Sequence, residues 1–219
     1  LSDSSIESIS FGFLWNNSSK KFTTRTKIKM AKFGTFIFFC IEIFQSIDLR
    51  SNNLTGFEYE NQLDDDSYPE QTAEIEIRGF LYLSNNQFRI LKKSTLIVLL
   101  LFEEINILHI LNNEIEKIEE NSFIGLDRLF SVDLSYNRLE FVTSKMFNGL
   151  NSLSLLLLTG NKIKWIHLDA FVDLENLGAL YIDKNNLRVF DINTIRKNLK
   201  LFMFFLDSNY LDFFKAESF

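Results

Sequence analysis

Five asparagines at a constant spacing of 24 residues constrain the fold of this chain more than any other feature of its sequence. They are Asn113, Asn137, Asn161, Asn185 and Asn209. Apolar residues stand eight, five and three positions before each asparagine and two positions after it. A frame that returns five times in register indicates stacked repeat units, each of which can bury its apolar side chains only against its neighbours.

The segment between one asparagine and the next repeats as well. Ten residues after the asparagine stands Phe123, Phe147, Phe171 or Ile195, and three residues further on stands Leu126, Leu150, Leu174 or Asn198. Asn198 is the one polar residue among these eight. Two less regular copies precede the five, centred on Asn52 and Asn86, with spacings of 34 and 27 residues.

This frame resembles the consensus of the leucine-rich repeat family, L-x-x-L-x-L-x-x-N-x-L. The 24-residue unit with a phenylalanine in its second half resembles the typical extracellular subclass, as in Toll-like receptor ectodomains and insect secreted repeat proteins. The resemblance covers about residues 41–219 and seven repeats. It implies an α/β solenoid, a right-handed horseshoe with a parallel β-sheet on its concave face and irregular or short helical return segments.

The remaining segments of the chain are assigned as follows. Residues 1–40 match no family, although basic residues before Met30 and the apolar run after it resemble a signal sequence. A polar stretch at 58–74 is interpreted as a looped insertion. Extracellular members of the family commonly end in Cys-rich caps, yet Cys40 is the single cysteine and the first residue is Leu1, which suggests a fragment. Three asparagines head sequons and are candidate glycosylation sites: Asn16, Asn17 and Asn53.

Composition and motifs restrict the function. A net charge of −6 argues against a nucleic-acid partner, which needs clustered Lys and Arg. No apolar run reaches the roughly 20 residues of a membrane-spanning helix. One cysteine and two histidines predict no metal or cofactor, and the chain lacks the common catalytic motifs, so we expect no enzymatic activity.

The repeated asparagines are interpreted as structural, because their amides can bond backbone groups of the turn and of the neighbouring unit. The predicted ladder consists of Asn52, Asn86, Asn113, Asn137, Asn161, Asn185 and Asn209.

Residues between the inward leucines should point outward on the concave face, because strand side chains alternate. The expected ligand contacts are Tyr82, His109, Asp133, Leu155, Leu157, Tyr181, Met203 and Phe205. From Leu155 onward this face is apolar and aromatic, which is typical of a contact surface. The alternative is that a C-terminal cap covers Met203 and Phe205.

The sequence therefore favours a non-enzymatic recognition module, extracellular or at the cell surface, which binds a protein or microbial ligand through the concave face. A role in innate immunity is implied by the resemblance alone, and a homo- or heterodimer is a candidate assembly. The alternatives are a cytoplasmic repeat scaffold, for which one unpaired cysteine is natural, and a regulatory fragment of a larger enzyme.

Overall fold

A computed structural model describes residues 15–16, 21–22, 28–29, 46–48, 50–51, 57–58, 79–96 and 105–215. Strands account for most of the regular structure. In chain order they are β1 (Trp15–Asn16), β2 (Lys21–Phe22), β3 (Ile28–Lys29), β4 (Ser46–Asp48), β5 (Phe57–Glu58), β6 (Gly79–Tyr82), β7 (Ile90–Leu91), β8 (Ile105–His109), β9 (Lys117–Ile118), β10 (Ser131–Asp133), β11 (Phe141–Val142), β12 (Leu155–Leu157), β13 (Trp165–Ile166), β14 (Ala179–Tyr181), β15 (Val189–Asp191), β16 (Met203–Phe205) and β17 (Phe213–Lys215).

One strand from each repeat enters a seven-stranded parallel sheet, in the order β16-β14-β12-β10-β8-β6-β4. Neighbouring strands pair so that equivalent positions face each other: Leu156 lies opposite Val132 on one side and Leu180 on the other. The register shifts once, at a bulge between Gly79 and Phe80. Because the sequence period equals the strand repeat, each apolar position forms a continuous column through the solenoid. The parallel-sheet solenoid predicted from the sequence is thus confirmed.

The core consists of these inward columns and of the phenylalanines from the return segments. Leu156, Leu158 and Leu180 have no exposed surface. Phe147 lies between Phe123 and Phe171, with ring centroids 6.3 and 6.1 Å apart. These aromatic rings therefore form a continuous row in the part of the core that the return segments supply.

The return segments are built mainly of turns. Among the described residues, regular helix is confined to α1 (Lys93–Leu96) and a short 3-10 helix at Ile192–Ile195. Helical return segments are therefore not a general feature of these units. Within the described ranges of the chain, no helix has the length and apolar character needed to cross a membrane.

A second set of short strands follows the turn that each asparagine occupies. These strands pair in parallel as β7 with β9, β11 with β13, and β15 with β17. Similarly, β3 pairs in parallel with β5, which brings Ile28–Lys29 from the unassigned segment 1–40 beside the repeats. β1 and β2 form an antiparallel pair within the same segment.

Several sequence assignments lie outside the described residues. They include the stretch that begins at Met30, the insertion at 58–74 apart from Glu58, Asn52, and the sequons at Asn17 and Asn53. Asn16 belongs to β1, but its side chain is not described. The division at residue 40 stays a prediction.

Candidate functional site

The turn after each sheet strand is held by the amide of the repeated asparagine. The Asn137 Oδ1 accepts the backbone N–H of Ile115 at 3.0 Å. Its Nδ2 donates to the carbonyl oxygens of Ile110 and Leu134, at 3.1 and 3.0 Å. Ile110 and Ile115 belong to the preceding unit, so one buried amide satisfies backbone groups in two units at once.

The same three bonds recur along the solenoid. Asn113, Asn161, Asn185 and Asn209 each accept a backbone N–H from the preceding unit. Each also donates to a carbonyl oxygen of that unit and to one of its own. The Asn86 amide bonds the Leu83 carbonyl oxygen at 2.9 Å. These contacts give the asparagines a structural position, away from the outward face of the sheet.

The residue before each asparagine has a left-handed backbone conformation. These residues are Ser51, Asn85, Asn112, Tyr136, Gly160, Lys184 and Ser208, with φ between 52° and 68°. The left-handed turn directs the chain out of the sheet. Because L side chains are disfavoured there, the six non-glycine residues each carry a conformational cost.

The outward face of the seven-stranded sheet, called the sheet face below, has a polar half on β4 to β10. The guanidinium carbon of Arg50 lies 5.0 Å from the centroid of the Tyr82 ring. Tyr82 stacks on His109 at 5.2 Å, and the His109 Nδ1 is 3.7 Å from the Asp133 Oδ2. A cation in the turn after β4, two stacked rings and a carboxylate thus follow one another across adjacent repeats.

Asp133 is the most enclosed of these groups, with only 8% of its surface exposed. Burial raises the pKa of its carboxyl, but His109 and Ser135 lower it by more, so this pKa lies below its ordinary value of 3.8. The backbone N–H of Ser135 donates to the Asp133 Oδ1 at 2.9 Å. The carboxylate is therefore held ionised within the sheet face.

We expect Asp133 to make the stability of the solenoid depend on acid pH. A carboxyl whose pKa is lower in the folded state stabilises that state above its unfolded pKa, and the contribution is lost as pH falls through the folded pKa. The unfolding free energy of Asp133→Asn should therefore fall furthest below that of the parent at neutral pH, with a smaller difference below about pH 3.8. Urea unfolding at about pH 6 and about pH 3, as near-neutral and acidic points on this curve, tests this. A difference that stays constant with pH would contradict it.

The other half of the sheet face, on β12 to β16, is apolar and aromatic. The rings of Tyr181 and Phe205 stack at 4.4 Å with an interplanar angle of 12°. The Tyr181 hydroxyl lies 3.8 Å from the Met203 sulfur, and Leu157 stands opposite Tyr181 in the register. Met203 and Phe205 are 43% and 41% exposed. Together with Leu155, these side chains form a continuous apolar surface, which we call the apolar half.

Two residues of this geometry, Arg50 and Phe80, were not among the expected ligand contacts. Arg50 continues the outward alternation of β4, and the strand alternation could have found it. Phe80, 36% exposed, stacks with Tyr82 at 6.1 Å.

His167 lies on a different surface, where its ring meets Trp165 edge-on at 5.6 Å. Among the described residues, no three His, Cys, Asp or Glu side chains converge as metal ligands would.

The fold and the asparagine bonds define a class of protein, a solenoid of repeats that presents one parallel sheet to its surroundings. A family model described as leucine rich repeat matches residues 103–163. Residues 103–163 are therefore a leucine-rich repeat region.

Among solved structures, the chain resembles a crystal structure of a TLR13–ssRNA13 complex. The two are 30% identical and superpose with a TM-score of 0.55 over 60% of this chain. The chain spans 18% of the length of that relative. No curated protein sequence matches it significantly.

Proposed function

We propose that this chain is a non-enzymatic recognition module that binds a protein or microbial ligand through the apolar half of the sheet face. The observation that carries the proposal is the exposure of Met203 and Phe205, with the half-buried Tyr181 ring stacked on Phe205. Apolar side chains at these positions contribute nothing to the inward columns of the solenoid. Contiguous exposed apolar patches on folded domains commonly mark contact sites.

The shape of this surface supports recognition of a macromolecule. Leu155 and Leu157 lie beside Ala179 and Tyr181, which in turn lie beside Met203 and Phe205. The apolar half is therefore a broad surface across three strands. Aromatic anchors of this kind dominate the energetics of protein interfaces. Aligned along rigid strands, they also lose little conformational freedom on binding.

The proposed setting is extracellular or at the cell surface, with the cytoplasmic scaffold as the alternative. The resemblance to the Toll-like structure supports this setting and a role in innate recognition. Glycosylation at Asn16, Asn17 or Asn53 and a dimeric state belong to the same proposal.

Single-stranded RNA is a second candidate ligand, and the polar half favours it. The related TLR13 structure is a complex with ssRNA. In the present chain, Arg50, Tyr82 and His109 form a stacked row of the kind on which unpaired bases can stack. The net charge of −6 weighs against this candidate. The expectation of no nucleic-acid partner therefore stays a prediction to be tested.

We expect the double substitution Leu157→Ser/Tyr181→Ser to abolish ligand capture while leaving the fold intact. Both side chains point outward, and the buried Leu156, Leu158 and Leu180 are unchanged. Loss of such anchors typically weakens binding by about 2 kcal/mol or more for each residue. Pull-down of proteins and microbial polymers on the immobilised parent and variant measures the effect, with circular dichroism as the folding check.

Tyr82→Ser is the matched control, because it removes an aromatic side chain from the polar half of the same face. If Tyr82→Ser abolishes capture and the double variant does not, the apolar half is not the contact surface. An anisotropy titration with a single-stranded RNA oligonucleotide tests the second candidate. RNA binding that is lost in Tyr82→Ser would favour the nucleic-acid ligand.

A further inference from the structure

A second exposed apolar column lies on the short strands that follow the asparagine turns. It contains Ile90, Phe141, Trp165 and Val189, which are 40%, 52%, 50% and 40% exposed, and we call it the ridge. Lys117 occupies the equivalent position between Ile90 and Phe141. Phe141 lies opposite Trp165 in the β11–β13 register. The next residue along each strand is buried in the core, so the backbone fixes the ridge side chains on the outside.

A column of charged residues, which we call the flank, runs beside the ridge, one position earlier in each unit. In chain order it reads Arg89, Glu116, Glu140, Lys164, Arg188 and Asp212. Backbone bonds from Glu116 to Arg89, from Lys164 to Glu140 and from Asp212 to Arg188 hold neighbouring members side by side. The charges are therefore +, −, −, +, +, −. When a second column in the reversed order is laid beside the first, every position meets a charge of opposite sign.

We propose that the ridge and the flank form a self-association surface that binds a second copy of this chain through a two-fold axis between Phe141 and Trp165. The axis would run perpendicular to the ridge, so the repeats of the second copy would run in the opposite direction. The flank residues of the two copies would then face each other in opposite order. Glu140 would then face Lys164 of the second copy, Glu116 would face Arg188, and Arg89 would face Asp212. Such a surface is isologous, which is the commonest geometry of homodimers.

The centre of the surface provides the apolar contact. Phe141 and Trp165 of one copy would lie on Trp165 and Phe141 of the other. Within one copy the Lys164 Nζ is 2.8 Å from the Glu140 Oε2. At the axis two such pairs would meet as four alternating charges. The pairs further out in the flank would set the direction of approach and exclude the parallel arrangement.

The opposite side of the ridge lacks this charge match. At the centre of that side, Thr143 of one copy would face His167 of the other, and this pair places no like charges opposite each other. Further out, Glu119 would face Asp191, and two carboxylates would repel each other. Asp191 already accepts hydrogen bonds from Asn193 at its Oδ1. The second copy would therefore lie towards the flank, where every facing pair is opposite in sign.

Sedimentation velocity over a range of micromolar concentrations tests the proposal on the full chain. We expect a reversible dimer of the parent and, for Trp165→Ser, a dissociation constant higher by about tenfold or more. Phe130→Ser is the matched control, because Phe130 is 51% exposed outside the ridge and should leave dimerisation unchanged. A parent that stays monomeric, or a dimer indifferent to Trp165→Ser, would overturn the proposal.

A charge exchange in the flank tests the two-fold arrangement itself. Glu116 and Arg188 are separated by two intervening repeats, so they face each other only across the proposed axis. Glu116→Arg and Arg188→Glu should each weaken the dimer, and the double variant should restore it. Additive weakening in the double variant, or loss of the dimer in Leu157→Ser/Tyr181→Ser, would place self-association on another surface. The second result would leave the proposed ligand-binding role of the sheet face untouched.

Discussion

Replacing Gly149 with alanine is expected to destabilise the solenoid by about 3–5 kcal/mol. Gly149 has φ +98°, and a Cβ there would lie 2.5 Å from the carbonyl oxygen of Phe123 and 2.7 Å from the Cα of Ile124. Those atoms belong to the backbone of the preceding unit and cannot rotate away. The two units would have to separate, which would open the core beside Phe123 and Phe147. Urea unfolding followed by circular dichroism measures the loss.

Gly160→Ala is the matched control for this prediction. It also has a positive φ, +68°, but its Cβ would meet the edge of the Tyr136 ring at 2.7 Å. Tyr136 is 50% exposed and can turn aside into solvent. We therefore expect a loss of about 1 kcal/mol, which is the cost of an L residue in the left-handed region. If both variants lost the same amount of unfolding free energy, the positive φ alone would explain the loss. The close approach of the two backbones at Gly149 would then contribute nothing.

Asn161→Ala should cost about 2–3 kcal/mol, because it leaves three buried backbone groups without partners. The Asn161 Oδ1 accepts the N–H of Leu139 at 3.1 Å, and its Nδ2 donates to the carbonyl oxygens of Leu134 and Leu158 at 3.0 Å each. The amide lies inside the solenoid, 5% exposed, where water cannot replace it without a cavity. The midpoint of denaturant unfolding measures the effect.

The comparison variant is Asn176→Ala. Asn176 also donates its amide to a carbonyl oxygen of the preceding unit, that of Asn151 at 2.8 Å, but it is exposed. Water can replace its bonds, and a change below about 0.5 kcal/mol is expected. An unchanged midpoint for Asn161→Ala would remove the structural role of the asparagine column.

The sequence period was enough to predict the parallel solenoid, because a fixed spacing places Leu156 beside Val132 and Leu180 whatever lies between them. Strand alternation likewise placed Leu157 and Tyr181 on the same outward column. Both predictions rest on local geometry repeated without error. Neither required knowledge of how distant segments of the chain pack.

Other features could not be predicted because they depend on contacts between units. The close approach of Gly149 to the backbone of Phe123 could not be predicted from the repeat pattern. The next repeat has Asp173 at the equivalent position, so the pattern does not require a glycine there. Tyr136 takes a left-handed conformation that its residue type disfavours, imposed by the turn that Asn137 holds. The ridge was missed because the repeat frame leaves its position free, although every second residue of a short strand must point outward.

The direction of the asparagine bonds has a consequence for how the protein is made. From Asn113 onward each amide reaches back 22 to 30 residues to the preceding unit, and none of these described bonds reaches forward. During synthesis each new repeat therefore brings its own asparagine amide. The backbone groups that this amide must bind belong to the preceding repeat, which has already been made. The solenoid can then grow on the ribosome by successive single repeats, with the apolar surface of only the newest repeat uncovered at any moment.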